Sequence, residues 1–564
     1  MICNTTLMKN LLSLFLVILF CGCNTQQQTD LSETNKGQQR TIIRTDTVYI
    51  TRNAEITPAN SYSDLFVDPM AVDLFIKTNK LSGGEEKNFR SFYNYRNFQF
   101  AWFTTIGFTE QAKGFWNLQD ELEYKAEKSL RNRMDTLLNQ DTLSISRFDT
   151  SIIRTELALT FEYLKFYSAN REKTQFADIS PEKFLPVKKE NTLVLADTIL
   201  HHRPDTSGYK TNSPYLALQQ KLQSYLTIAK DGGWVPISLS SKQIKKGAAS
   251  PGITLLKKRL LITREFSGLD TTAIFDDSLL MAIKNYQLHN GLVPTGLITD
   301  TLIRSLNVTV EKRIQQIIIN LERLQWLPVS KDANYIAVNI PDFTLSVFEN
   351  NIKSFDIPVA VGKEGTNTTI FSGKLNQVVF SPYWNIPASI VKKEILPKIK
   401  ADPNYLKSRN MEIVGKNDSL PVIRQLPGKD NALGKVKFLF PNRYDIYFHD
   451  SYAKDIFSRD KRAVSHGCIR LADAEKLADY LLRNNHSWTP EKVNAAMNSG
   501  KEQFVALTPA MHVAITYFTA WVDESGQLNF RDDIYANDNK ITQMMFSNNV
   551  QSNIVGLKDS LHQK

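Results

Sequence analysis

Ile446-Tyr447-Phe448-His449-Asp450, with fifteen residues (450–464) between His449 and the following Ser465-His466-Gly467-Cys468-Ile469-Arg470, is the stretch that governs how this chain reads. The four cysteines are Cys3, Cys21, Cys23 and Cys468, so Cys468 stands alone in the body of the chain with histidines beside it. A lone cysteine forms no internal disulfide, which leaves a buried hydrophobe, a metal ligand or a nucleophile. A thiol titrates near 8.5, at about that reference value, and needs a base or a positive charge to react at neutrality. His449 and His466 are the two candidates. Tyr447 and His449, two apart at a strand end, project from one face. Gly467 permits a tight turn, and N–H groups around Gly467 and Cys468 would form an oxyanion hole. A zinc centre needs about four ligands, and Cys468, His449 and His466 supply three without a metalloenzyme motif, so no metal is expected. His201, His202, His289, His486, His512 and His562 have no comparable neighbourhood and read as structural or solvent-exposed.

Outward from this stretch the text is β-rich. Tyr335 to Ile340 and Thr344 to Phe348 are short alternating runs split by the turn signal Pro341-Asp342. Phe355 to Val361, Gln377 to Ser381, Val436 to Phe440, Asp445 to Phe448 and Val513 to Val522 are further strand candidates. The strands place a catalytic domain at 333–487, with 488–540 as an extension joining it and 541–564 as a tail. Residues 388–432 interrupt the strands with helix-like text from Ile390 to Ile399 and a Gly-containing loop. An insertion there is a candidate cap over the site, with Gly428 and Gly434 as hinges.

Towards the N-terminus the period becomes helical. Residues 61–245 carry Phe89, Phe92, Tyr93, Phe98, Phe100, Trp102 and Phe103, and 109–136 alternate at helical spacing. An aromatic stripe of this kind is packing rather than a ligand platform. In 250–308, Leu255, Leu256 and Leu260 fit one helix face, while Leu279, Ile283 and Tyr286 fit a second helix ended by Gln287. Thr299 to Leu306 makes a third, capped by Thr299 or Asp300. Residues 309–330 read as an amphipathic connecting helix stopped by Pro328.

Lys9 and the apolar run LLSLFLVILF at 11–20 read as an export signal over 1–22. Ten residues rise only about 15 Å as a helix, too short for a hydrocarbon core of about 30 Å. Phe20-Cys21-Gly22-Cys23 resembles a lipobox, which makes Cys23 the lipidation site and anchors the protein to a membrane in the cell envelope. Polar text from Asn24 onward reads as a flexible tether over 23–60. The formal charge of +10 and pI near 9.1 suit an anionic polymer or a membrane face, but 68 basic and 58 acidic residues are dispersed, and no nucleic-acid module is present in the text.

His449, the fifteen-residue gap and Ser465-His466-Gly467-Cys468 together resemble the signature of L,D-transpeptidases with a YkuD-type catalytic domain. The stretches 431–442, 446–450 and 520–535 resemble the YcbB-like subgroup, which also has Arg470 where many members have Asn. Tyr286-Gln287, His289-Asn290-Gly291-Leu292 and Thr295-Gly296 resemble the three-helix peptidoglycan-binding domain. The resemblance implies a multidomain α+β protein: helical N-terminal scaffold, peptidoglycan-binding domain, and β-rich catalytic domain with an inserted cap. It implies Cys468 as nucleophile, His449 as proton acceptor and donor, His466 beside them and an oxyanion backbone at Gly467, with Tyr447, Arg470 and Ser465 at the substrate. The partners are then peptidoglycan stem peptides and the sacculus, and no cofactor is called for. The acyl group would pass to a stem amine, closing a 3→3 cross-link. Water or a protein lysine as acceptor stays open, as does a non-catalytic wall-binding lipoprotein; the sequence does not fix the oligomeric state.

Overall fold

The computed structural model describes residues 50–547, apart from 122–123, 139–142, 171–179, 202–213, 240–243, 268–271, 327–332 and 418–419. The expected export signal, Cys23, the tether up to residue 49 and the chain beyond 547 lie outside the described residues, as do His202 and His562. Among the described residues no helix is long and apolar enough to cross a membrane.

Helices Pro69–Thr78, Gly83–Tyr95, Glu110–Glu121, Lys128–Leu138 and Thr150–Asn170 enclose an aromatic core. Phe89, Phe92, Tyr93, Phe100, Trp102, Phe103 and Phe115 are all buried in it, as the aromatic spacing predicts. The expected tether ends earlier than residue 60: Ile56 is buried, and the Ile50 carbonyl accepts the Asn94 side-chain amide at 2.8 Å. At the centre, the fully buried Glu156 carboxylate accepts the Ala101 N–H at 2.7 Å and the Trp102 N–H at 3.0 Å. Burial pushes its pKa up to about 7, against the N–H bonds and Arg96, which favour the charged form.

Helices Pro251–Ile262, Asp277–His289 and Asp300–Leu306 form a separate small core. The first buries Ile253, Leu256 and Leu260, whereas Leu255 faces solvent, because the i, i+3, i+7 rows that meet the core exclude it. The second helix runs on past Gln287 to His289. Gln287 is buried within it, its amide accepting the Gly296 N–H at 2.7 Å and donating to the Leu297 carbonyl at 3.1 Å. Thr299, not Asp300, caps the third helix, accepting the Leu302 N–H.

Helix Val310–Gln325 is a central strut rather than a surface connector, buried around most of its circumference. Helices Thr192–His201, Pro214–Lys230 and Asn537–Met545 pack on it, as does the hairpin Ala520–Val522 with Leu528–Phe530. Two expectations change as a result. The expected strand Val513 to Val522 is two: Gln503–Thr516 joins the catalytic sheet, while Ala520–Val522 turns away to the strut. The tail expected from 541 instead begins inside a helix, with Ile541, Met545 and Phe546 buried. A reciprocal pair of hydrogen bonds between the Asn320 amide and Thr519 draws the chain to the strut at 2.8 and 3.0 Å.

Among the described residues the β-rich region is built on a nine-stranded sheet. In spatial order it runs Ala463–Ser465, Ile352–Gly362, Ile469–Leu471, Phe448–His449, Val436–Leu439, Phe371–Phe380, Gln503–Thr516, Tyr335–Asn339 and Thr344–Glu349. Thr344–Glu349 pairs back onto Ile352–Gly362, so all but the outlying Ala463–Ser465 close into a ring. Ile336, Val338, Leu345, Val347, Val359 and Leu477 fill the interior and the seam with helix Ala474–Leu482. Alternate burial along Tyr335–Asn339 and Thr344–Glu349 is the period-2 pattern of the sequence made physical. The strand expected at Asp445 to Phe448 begins only at Phe448, since Asp445 has a left-handed φ of +52 that no strand admits.

Glu156 gives a test of the helical region. Its pKa is raised in the fold relative to about 4.3 in the unfolded chain, so the folded state holds the extra proton between the two values. Stability from this group is therefore full at low pH and lost as pH rises through about 7. Compared with Glu156→Gln, the wild type should lose about 4 kcal/mol between acidic and alkaline limits, measured by urea unfolding across pH.

Candidate active site

Cys468 and His449 reach one locality because two very short parallel strands pair Phe448 with Ile469 and His449 with Arg470. The turn before Ile469 is closed by one serine. Ser465 Oγ donates to the Cys468 carbonyl at 2.6 Å and accepts the Gly467 N–H at 3.1 Å. Gly467 has φ +118, a conformation that L side chains rarely adopt, which is why glycine stands there. Thr368 Oγ1 donates to the Gly467 carbonyl at 2.7 Å and accepts the Gly362 N–H at 2.9 Å. Tyr535 completes the brace, its hydroxyl donating to the Gly362 carbonyl at 2.6 Å and accepting the Thr368 N–H at 3.2 Å.

Two expectations for this turn are corrected. Ser465 is buried and its hydroxyl is consumed within the loop, so it shapes the turn and does not face substrate. The Gly467 N–H is likewise taken by Ser465 and cannot serve an oxyanion. Among the described residues no protein acceptor engages the Cys468 N–H, which is the remaining backbone donor at the cysteine itself.

The half-buried Cys468 thiol donates to the Asp445 carbonyl at 3.6 Å, and Tyr447 beside it favours the thiolate. Burial pushes the thiol pKa up; the Tyr447 contacts and Arg470 pull it back, and Asp445 adds to the rise. Burial beside a sulfur that can become anionic raises the Tyr447 phenol far above its usual range, so it is always a donor. Its ring lies 5.9 Å from that of His449, consistent with the shared face read from their spacing.

His449 is buried, and its pKa is lowered to about 4, first by desolvation and then by Arg470, against the Asp450 and Leu433 carbonyls. Nδ1 lies 2.6 Å from the Asp450 carbonyl oxygen. Only an N–H satisfies that contact, which assigns the proton to Nδ1 and leaves Nε2 as the basic nitrogen. The Asp450 side chain is itself held, accepting the Lys435 N–H at 2.9 Å and Lys454 Nζ at 2.7 Å. Gly434 packs so tightly against Asp450 that a Cβ would approach its carboxylate to 2.4 Å, so this glycine is a close-contact point rather than a free hinge. Gly428, at φ +155, has open space around it.

His466 points elsewhere than the sequence suggests. Its Nε2 lies 2.8 Å from Glu394 Oε1, and no hydrogen bond links it to Cys468 among the described residues. Glu394 belongs to the insertion, which has its own three-stranded sheet of Trp384–Asn385, Leu420–Gln425 and Met411–Asn417 and a small core at Ile386, Val391, Ile395 and Ile423. Arg470 is partly buried, its Nε buried without a partner among the described residues, and burial lowers its pKa. Among the described residues no group of three or more His, Cys, Asp or Glu side chains could hold a metal ion. Thr368, Tyr535 and Glu394 were invisible to sequence reasoning, because each reaches the site from a distant segment, while Asp445, just before Ile446, reads from sequence only as strand.

Residues 333–494 match the YkuD family model, described as the L,D-transpeptidase catalytic domain, and residues 87–226 match one described as a scaffold domain. A Haemophilus influenzae protein provisionally named an L,D-transpeptidase is 30% identical over 296 residues, spanning 50% of this chain and 58% of its own length. The chain thus spans little more than half of that curated relative. An L,D-transpeptidase from Stackebrandtia nassauensis is 13% identical, covering 50% of this chain and 97% of its own, with a TM-score of 0.22. One from Mycobacterium smegmatis is 12% identical over 33% of this chain and 58% of its own, with a TM-score of 0.19. At such scores the superpositions carry no argument, and the family match carries it. The region that carries the motif is therefore the one that matches the YkuD model, described as the L,D-transpeptidase catalytic domain.

Thr368→Val removes two bonds, to the Gly467 carbonyl in the turn before Cys468 and to the Gly362 N–H beside it, while nearly preserving shape. It should cost about 1–3 kcal/mol in stability and slow Cys468 acylation by about tenfold to a hundredfold, read by thermal unfolding and by stopped-flow with a β-lactam probe.

Proposed function

We propose that this protein is a cell-wall L,D-transpeptidase that moves an acyl group from a tetrapeptide stem to an amine through a Cys468 thioester. The observation that supports it most is a neutral, Nδ1-protonated His449 on the strand paired with the one that leaves Cys468, within the region that matches the YkuD model. With the His449 pKa lowered and that of Cys468 raised, the resting pair is neutral imidazole and neutral thiol rather than an ion pair. Proton transfer to His449 Nε2 therefore accompanies attack of the sulfur on the stem carbonyl. The bond from that carbonyl to the terminal D-alanine breaks, and His449 returns the proton to the departing amine. An acceptor amine then attacks the thioester, loses its proton to His449, and releases the Cys468 thiol.

The resting contacts of Cys468 run to Asp445 and Tyr447, so the sulfur turns towards His449 as substrate enters; catalytic hydrogen bonds tighten in this way in the bound complex. The Cys468 N–H supplies an oxyanion donor. Arg470, with its unpartnered Nε, takes a substrate carboxylate. The insertion caps the site, held to the turn before Cys468 by the half-exposed Glu394–His466 contact, which solvent competes for and so is easily opened. The acceptor is a second stem, which makes 3→3 cross-links. The module at 250–308 holds the enzyme to the sacculus, and Cys23 lipidation tethers it in the periplasm-facing envelope.

Muropeptide mass spectrometry tests the chemistry. Purified protein should generate 3→3 dimers with release of D-alanine; hydrolysed tripeptides alone would make it a carboxypeptidase. Cys468→Ser should abolish the thioester, and His449→Ala should slow acylation by about 10²–10⁴-fold. The neutral imidazole is the competent base, so its contribution to the acylation rate should persist through mildly acidic pH and fall away only as pH drops through about 4.

Deleting residues 250–308 should weaken sacculus pull-down yet spare turnover of soluble muropeptides, because a second binding module raises only the local concentration on a polymer. Cys468→Ala should show the converse. Labelled fatty acid should enter wild type and not Cys23→Ala; equal labelling would remove the anchor.

A further inference from the structure

The turn at 441–446, which delivers Asp445 and Tyr447 to the Cys468 sulfur, is gripped from outside the catalytic sheet. Arg443 ion-pairs through Nη1 with Asp135 of helix Lys128–Leu138. Its guanidinium also sits 5.9 Å from the ring centroid of Trp116, on helix Glu110–Glu121, and 5.7 Å from that of Tyr444. Asn117 of the same helix donates to the Ile370 carbonyl at 2.8 Å, and Phe371 packs its ring 5.2 Å from that of Tyr444. Two helices of the N-terminal region thus hold both flanks of this turn.

The turn transmits that grip because it is stiff. The Asn442 amide donates to the Phe440 and Ile446 carbonyls, both at 2.7 Å. Its Oδ1 accepts the Tyr444 N–H at 2.9 Å and the Ile446 N–H at 3.2 Å. Asp445 is held left-handed at φ +52, a conformation that persists in a non-glycine residue only when its surroundings over-determine it. That backbone aims the Asp445 carbonyl at the thiol, and Tyr447 follows two residues later.

We propose that Arg443 is a positioning residue, through which the helical N-terminal region sets the placement of the Asp445 carbonyl and the Tyr447 donors around the Cys468 sulfur. The inference rests on Cys468 being the nucleophile. It gives the helical region a part in the reaction that simple spacing would not. The groups facing the sulfur are Tyr447, Asp445 and Arg470, with His449 beside Arg470; none of them is altered in the test. Freeing the turn removes one acceptor that favours the thiol and two Tyr447 donors that favour the thiolate. The net change disfavours the thiolate.

The test is the pH profile of iodoacetamide alkylation at Cys468 in the full chain, read by peptide mass spectrometry, for wild type, Asp135→Ala, Arg443→Ala and Arg443→Lys. Asp135 is partly exposed on a helix, so Asp135→Ala keeps the fold even if Arg443→Ala does not. Asp135→Ala and Arg443→Ala should raise the alkylation midpoint by about one pH unit, a tenfold slowing at fixed pH below it. Arg443→Lys should recover part of the shift. In turnover, kcat should fall about tenfold with KM unchanged. Midpoints coinciding with wild type in both alanine variants, whatever the melting temperature does, overturn the proposal. Alkylation that shifts as expected in a protein that never transfers stems would instead sink the transpeptidase reading and leave the positioning role standing.

Discussion

The Ser465 hydroxyl, donating to the Cys468 carbonyl and accepting the Gly467 N–H, closes the turn on which the whole site depends. It lets the chain leave the outlying strand Ala463–Ser465 and enter Ile469–Leu471 within three residues, while Ile352–Gly362 pairs with both. A reversal that abrupt leaves buried backbone groups to satisfy. Thr368 and Tyr535 satisfy them, so a loop before Phe371 and a segment beyond Thr516 converge beneath one cysteine. An unmade bond in such a buried network would cost the desolvation of the orphaned group as well as the bond.

Closing the sheet into a ring gives this turn a rigid floor. The two-residue strand Phe448–His449 would be marginal alone, yet it lies between Val436–Leu439 and Ile469–Leu471 over the fully buried Phe438, Phe448 and Ile469. Packing therefore fixes His449 where local propensity could not. The same burial strips water from its imidazole and, with Arg470 nearby, keeps it neutral. Rigidity of the floor and neutrality of the ring have one cause.

Around this domain the chain is bound by a strut. Helix Val310–Gln325 collects helices from the N-terminal region and the C-terminal hairpin, and Arg323 pairs with Glu110 at 3.1 Å and Asp538 at 2.7 Å. Arg531 ties further parts together, reaching Asp342 at 2.6 Å and the His289 carbonyl at 3.0 Å. Gly291 lies against that arginine, leaving no room for a side chain. The modules read one after another in the sequence are in contact across long separations.

The sequence by itself determined the chemistry-bearing pair, the helical and β-rich halves and the aromatic core. Each is carried by local signals: a lone thiol beside histidines, a change of period from 3.6 to 2, and clustered rings. Strand Ile352–Gly362 was legible as Phe355 to Val361 because alternation survives where one face is buried, and it blurred at the ends where pairing partners, not propensity, set the limits. Only the tertiary structure decided which polar groups are free. Ser465 and Gly467 looked like substrate contacts until their mutual bond was visible, and His466 looked like a base until Glu394, 72 positions earlier, took its ring nitrogen. A hydrogen-bonding group's role depends on whether its capacity is already spent, and what spends it comes from segments far away in the chain.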